Sequence, residues 1–209
     1  MKGLLVSGGN KVNFPILERE SKNSFIVCAD GGIKNFVGTY LKPDLIVGDF
    51  DSIDDNGKKF VKEKNLEFKK YPCQKDFTDT EAALEILLEK NVDEIVILGA
   101  TGTRLDHTVS NIFLLQKLFG KINAKLIDNN NEIYYFENGI YEFEKSWYKY
   151  ISVIPISTCV EYSTEGLLYD TNHIIINSTS GIGVSNEILN QKCKINIYNG
   201  KGFIIKSND

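Results

Sequence analysis

The sequence lacks most of the features that assign a function at sight. Its four cysteines (Cys28, Cys73, Cys159 and Cys193) show no CxxC spacing, and it has only two histidines. Neither a zinc site nor a disulfide framework therefore has support. The first apolar run, Leu4 to Val6, is far too short for a signal peptide or a membrane span. Basic residues are not in excess: a formal net charge of −4 over 209 residues argues against nucleic-acid and membrane-surface partners. A cytoplasmic protein is the default expectation. There is no Walker A sequence, because Gly9 stands where the pattern started by Gly3 and Gly8 needs lysine. Protein-kinase signatures, internal repeats and low-complexity stretches are missing too. The length suffices for one large domain or two small ones.

What the chain does have is carboxylate at particular places. Five aspartates fall in three short blocks, Gly48-Asp49-Phe50-Asp51-Ser52, Lys75-Asp76-Phe77-Thr78-Asp79 and Arg104-Leu105-Asp106-His107. Ala29-Asp30-Gly31-Gly32 is placed similarly, just after an apolar run. Carboxylates that converge repel one another and need a compensating cation. Hard oxygen donors suit Mg²⁺, which commonly bridges to phosphates.

Short apolar runs at Gly3–Val6, Phe25–Cys28, Leu45–Val47, Leu66–Phe68 and Ile95–Leu98 predict strands. Between and after them, Pro15–Glu20, Ile33–Tyr40, Lys58–Asn65, Asp79–Lys90 and Asp106–Phe119 predict helices. Such alternation implies parallel strands buried on both faces, an α/β fold whose strand exits gather at one ligand-binding edge. Thr78 and Glu81 form a capping box. After about residue 125 the runs become short and β-branched or aromatic: Glu132–Phe136, Ile140–Phe143, Tyr148–Pro155, His173–Asn177, Lys194–Tyr198 and Gly202–Lys206. Asn199-Gly200 predicts a hairpin turn between the last two. The expected division is an α/β domain over residues 1–130 and an all-β sandwich over 131–209.

Each block has a plain structural alternative. Asp49 and Asp51, if extended, share one side and suit a metal, but Asp, Gly and Ser also favour surface turns. Asp76 and Asp79 could simply complement a helix dipole. Lys75 is suited to a phosphate, although many lysines nearby form a solvated face. Gly99 to His107 follows a strand and opens a helix, so small residues there let backbone N–H groups approach phosphate, with Arg104 as a bidentate partner. His107 fits a structural role at the helix start better than that of a base. Gly8-Gly9 and Gly31-Gly32 are ligand loops or merely tight turns.

Taken in order, these blocks and Gly183-Val184-Ser185-Asn186-Glu187 resemble the thiamine pyrophosphokinase family, over nearly the whole chain. The resemblance implies transfer of the diphosphate of ATP to the thiamine hydroxyl, giving thiamine diphosphate and AMP. It implies Mg²⁺ as cofactor, held by Asp49, Asp51 and Asp79, with Asp76 and Arg104 also catalytic. Gly8, Gly9, Asp30, Gly31, Lys75, Thr101, Gly102, Arg104 and Asp106 would bind ATP. Ser185, Asn186, Glu187 and Tyr169 would bind thiamine, in a homodimer whose active site lies at the subunit interface. Two positions depart from the family pattern: Thr103 stands where many members have glycine, and Tyr169 where some have tryptophan. The Tyr169 ring would stack on the thiamine cation or sit in a sheet core. Two rival functions fit the same residues, an aspartyl-phosphate phosphatase using Asp49 and a nucleotide-binding module without turnover.

Overall fold

Short parallel strands organise the first part of the chain: β1 (Lys2–Val6), β2 (Ser24–Ala29), β3 (Leu45–Gly48), β4 (Phe68–Lys70), β5 (Glu94–Leu98) and β6 (Asn123–Ile127). They appear in a computed structural model that describes residues 1–49, 51, 53–70 and 78–209. The chain divides into two compact units, Met1–Asn129 and Asn130–Asp209.

In the first unit the strand order is β6-β5-β1-β2-β3-β4, and every pairing is parallel. The period-two alternation of side chains explains how both faces are buried. Leu4, Val6, Ile26, Cys28, Ile46, Val96 and Leu98 point into one apolar cluster. That cluster is completed by Ile16 and Leu17 of helix α1 (Phe14–Ser21) and by Phe60 and Val61 of helix α2 (Asp55–Glu63). The intervening Leu5, Val27 and Val47 are buried as well. Helix α3 (Asp79–Glu89), with Ala83, Leu84 and Leu87 inward, packs on β1, β2 and β3. Helix α4 (Leu105–Leu118) packs on β6. The Thr78–Glu81 capping box forms, satisfying two backbone donors that the start of α3 would otherwise leave unpaired.

Three local expectations shift. Ile33–Tyr40 is not an α-helix; a 3₁₀ helix spans Asp30–Asn35 instead. Left-handed residues bracket the segment, Asp30 at φ 47° and Gly38 at φ 80°. The buried Asn35 amide fixes it, accepting from Val12 N–H at 2.8 Å and donating to Gly32 O at 2.9 Å. Helix α2 begins before Lys58 because Asp54 caps it, accepting from Gly57 N–H at 2.7 Å. Strand β4 starts later than Leu66, whose N–H still closes that helix on Val61 O at 3.2 Å. Strand β6, only half apolar, was not expected from the sequence.

The second unit contains β7 (Asn131–Phe136), β8 (Gly139–Glu144), β9 (Tyr150–Pro155), β10 (Cys159–Glu165), β11 (Ile174–Asn177), β12 (Asn186–Glu187), β13 (Lys192–Asn199) and β14 (Gly202–Ser207). Within it, antiparallel strands run β12-β9-β14-β7 and β11-β10-β13-β8. Phe136, Ile151, Val153 and Ile204 from the first group meet Val160, Tyr162, Ile195 and Ile197 from the second in one core. This is the packing of a β-sandwich.

The Asn199-Gly200 turn is not a hairpin. β13 pairs with β8 and β10, whereas β14 pairs with β7 and β9, so the chain changes sheets at this point. The Ser157 hydroxyl holds the crossing, donating to Cys159 O at 2.7 Å and accepting from Lys201 N–H at 3.0 Å. Gly200, at φ 100°, passes so near Cys159 O that a Cβ would sit 2.5 Å from it. In its sheet β14 is covered on both faces, with Phe203 and Ile204 both buried, which a flat hairpin continued from β13 would not provide.

Candidate active site

Strand order reverses at β1, since β2 to β4 lie on one side of it and β5 and β6 on the other. Open α/β sheets bind ligands outside the carboxyl ends of their strands at such a switch point. Here a cleft of about 700 Å³ lies there, walled by the segments at 7–10, 29–34, 53–54, 78–80 and 100–104 and by the first turns of α4.

The β1 and β5 exits are tied together. Gly9 N–H donates to Gly99 O and Asn10 N–H to Thr101 O, each at 2.7 Å. Gly102 N–H donates to the Thr108 hydroxyl at 3.0 Å, and the buried Asn111 amide donates to Ala100 O at 2.8 Å. The Thr101 hydroxyl donates to Asp128 at 3.0 Å. Ser7, buried, meets the Thr80 hydroxyl at 3.0 Å and so fastens the β1 exit to the helix start that carries Asp79. The N–H groups of Gly9, Asn10 and Gly102 are engaged in shaping the loops, which leaves side chains and the other loop N–H groups to meet a phosphate.

Of the residues expected at ATP, Gly8, Gly9, Asp30, Gly31, Thr101, Gly102 and Arg104 line the cleft. Lys75 lies outside the described residues, as does Asp76. Asp106 does not line the cleft but binds Arg104, which donates to it through Nη2 at 2.6 Å and Nε at 3.3 Å. The Arg104 guanidinium, aided by the His107 backbone N–H, pulls the Asp106 carboxyl down to about 2. The charged carboxylate is thus favoured in the folded state. Its stabilising effect is present above the ordinary carboxylate range and is lost as pH falls from about 4 through about 2. A carboxyl-carbon NMR titration is expected to give a midpoint near 2 for Asp106 and a higher one in Arg104→Ala, where only the His107 N–H still favours the carboxylate. A midpoint unmoved by that substitution would refute the pairing. Both groups are exposed, so high salt weakens the effect.

Asp79 also lines the cleft. Asp30 approaches the β3 exit because Gly48 has no side chain: a Cβ there would stand 2.7 Å from Asp30 Oδ1. Asp49 accepts the Asp51 N–H at 3.0 Å, so this segment turns at Asp51 rather than running on extended. Among the described residues no three His, Cys, Asp or Glu side chains form a ready metal cage. Mg²⁺ does not require one, since it keeps several waters and is held by one or two carboxylates together with substrate phosphates. The donor chemistry of Asp49, Asp51 and Asp79 fits that ion. Cys28 offers no nucleophile here, because burial first and the Asp30 carboxylate second push its thiol far up.

Sequence reading missed Ser7, Asn10, Lys34, Asp54, Thr80 and Asn111, all of which line the cleft. Ordinary polar residues scattered along a chain carry no local signal. Ser7 and Asn10, which flank Gly8-Gly9, and Thr80, which follows Asp79, had a neighbour that pointed to them.

In the second unit the structure brings Tyr169, Ser185, Asn186 and Glu187 together. Asn186 clamps the Tyr169 backbone, accepting its N–H at 3.1 Å and donating to its carbonyl at 2.8 Å. Ser185, at φ 61°, donates its N–H to the Ser152 hydroxyl at 2.9 Å, and β12 pairs Asn186 and Glu187 with Ile151 and Tyr150. Tyr169 is 69% exposed, which excludes a sheet-core role and leaves its ring available.

An α/β unit with a glycine-walled cleft at its sheet switch point, followed by a β-sandwich with a polar clamp and an exposed ring, defines a two-unit protein of the small-molecule-binding α/β class. Family comparison narrows this. The thiamin pyrophosphokinase catalytic domain matches residues 17–127, and the thiamin pyrophosphokinase vitamin B1 binding domain matches residues 140–204. Thiamine pyrophosphokinase of Bacillus subtilis (strain 168) is 34% identical over 209 residues, covering 98% of each chain. The crystal structure of thiamine pyrophosphokinase from Bacillus subtilis superposes with a TM-score of 0.91 at 30% identity, covering all of both chains. That of thiamin pyrophosphokinase from Geobacillus thermodenitrificans gives 0.88 at 27% identity, covering 100% of this chain and 98% of that one. The chain belongs to the thiamine pyrophosphokinase family.

Proposed function

We propose that this protein transfers the terminal diphosphate of ATP to the hydroxyl of thiamine, releasing AMP. The observation that carries the reading is the cleft at the β1/β5 switch point, whose walls include Ala29 to Gly31, Thr78-Asp79 and Ala100 to Arg104 from three of the blocks that resemble the family's motifs, all within the matched catalytic domain. The thiamine oxygen attacks the β-phosphorus in line, and AMP leaves from the opposite side, so no covalent enzyme intermediate is needed. Arg104 and Lys75 would neutralise the polyphosphate, while the glycine loops admit the triphosphate close to the main chain. Arg104 must exchange Asp106 for phosphate to do so, an exchange made easy by the exposure of that pair. Asp49, Asp51 and Asp79 would hold Mg²⁺, which when bound would supply positive charge for the transferred diphosphate. Asp76 and Asp79 are the candidate acceptors of the hydroxyl proton.

Tyr169, with Ser185, Asn186 and Glu187, would bind thiamine, the ring stacking on its cation. The protein acts as a homodimer with its active site at the subunit interface. Support comes from Leu168, Val184 and Leu189, large apolar side chains exposed next to these residues. The cytoplasm is the compartment that fits, since Cys28, Cys159 and Cys193 are free thiols.

Incubation with ATP, Mg²⁺ and thiamine is expected to yield AMP and thiamine diphosphate. ADP with thiamine monophosphate would mean ordinary kinase chemistry, and inorganic phosphate alone would mean hydrolysis; either product set overturns the proposal.

A further inference from the structure

We infer that Lys34 is a phosphate-binding residue of the nucleotide site. The inference rests on the reading that ATP occupies the β1/β5 cleft. Lys34 lines that cleft from the 3₁₀ helix after β2, between the buried Ile33 and Asn35. Those two anchors, with the two Asn35 hydrogen bonds, hold the base of its side chain in place. At the tip, Nζ donates to Gly8 O at 2.9 Å, which suspends the ammonium beside the glycine loop. An ammonium has three donors, so two remain.

The charge balance makes those donors matter. The described cleft wall contains Asp30, Asp54 and Asp79 against Lys34 and Arg104. Arg104 spends two N–H groups on Asp106, whereas Lys34 forms no ion pair with any described residue. The N–H groups of Gly9, Asn10 and Gly102 are already committed to other loop atoms. A polyphosphate entering here meets Lys34 as a cation that need break no existing ion pair to bind it. Tethering Gly8 O alone would not call for a charge, because a neutral amide donor serves a carbonyl equally well.

The test compares wild type, Lys34→Met and Lys34→Arg for binding of ATP by calorimetry and of adenosine, at millimolar concentration, by ligand-observed NMR. Lys34→Met is expected to weaken ATP about 10- to 100-fold, the size of a lost hydrogen bond to a charged group. Adenosine affinity should stay within about twofold, and Lys34→Arg should restore most of the ATP binding. Equal losses for ATP and adenosine, or a lowered unliganded melting temperature with unchanged ATP affinity, would make Lys34 a loop fastener and overturn the inference. Failure of the wild-type protein to bind ATP at all would instead overturn the functional reading on which it rests.

Discussion

Replacing Gly9 by alanine is expected to lower kcat/KM by more than about 100-fold, the scale of an ångström-sized misplacement of reacting groups. A Cβ on Gly9 would stand 2.5 Å from Gly99 O and closer still to Thr101 O. Both obstacles are backbone carbonyls, so no side chain can swing aside to relieve the clash. The same two segments are joined by the hydrogen bonds from Gly9 to Gly99 and from Asn10 to Thr101. Separating them therefore breaks the floor of the cleft and moves Gly102 and Arg104 with the β5 exit. Overpacking of this kind costs about 1–3 kcal/mol of stability. In a chain of this size that corresponds to a melting temperature lowered by roughly 2–12 °C. Steady-state kinetics with a parallel thermal melt separates the two consequences. Gly9→Ala with unaltered turnover would show that the loop contributes nothing to the reaction.

Loss of charge at the β3 exit is expected to act differently, on rate without stability. Asp51→Asn keeps the shape of the side chain and leaves the Asp49 carboxylate to accept the residue 51 N–H as before. Asp51 is exposed, so its neutralisation should leave the melting temperature within about 1 °C. On the proposed role of Asp51 as a ligand of Mg²⁺, the substitution should nevertheless cost at least about 100-fold in kcat. Asp79→Asn provides the contrast, because Asp79 also opens α3 and complements its dipole. A purely structural Asp79 would lose about 0.3–1 kcal/mol of stability and keep its turnover. A metal ligand would lose turnover as Asp51 does. Near-normal activity of Asp51→Asn at saturating Mg²⁺ would sink the metal assignment.

The two units differ in how legible they were. Buried parallel strands are continuous apolar runs, so β1, β2, β3 and β5 stand out in the sequence, as does the Thr78–Glu81 cap, which depends on residues three apart. The strand exits followed directly, and with them the aspartate and glycine blocks. In the sandwich, by contrast, alternation signals a strand but not its partner. Asn199-Gly200 has the composition of a hairpin and serves as a sheet crossing, because Ser157 and Cys159, some forty residues earlier in the chain, hold it. The Ile33–Tyr40 segment has helical spacing, yet Val12 and Gly32 recruit Asn35 into a tighter turn.

By itself the sequence determined which chemistry the protein carries. Acidic, glycine and basic residues at strand exits are local facts, and parallel α/β topology leaves one edge where they can meet. The tertiary structure alone decided which of them act together. Ser7 meets Thr80, Arg104 turns to Asp106, and Lys34 reaches Gly8 across a cleft whose loop N–H groups are already engaged. Hydrogen bonds and ion pairs depend on separations of a few ångströms between segments distant along the chain. Those separations exist only once the sheet has formed.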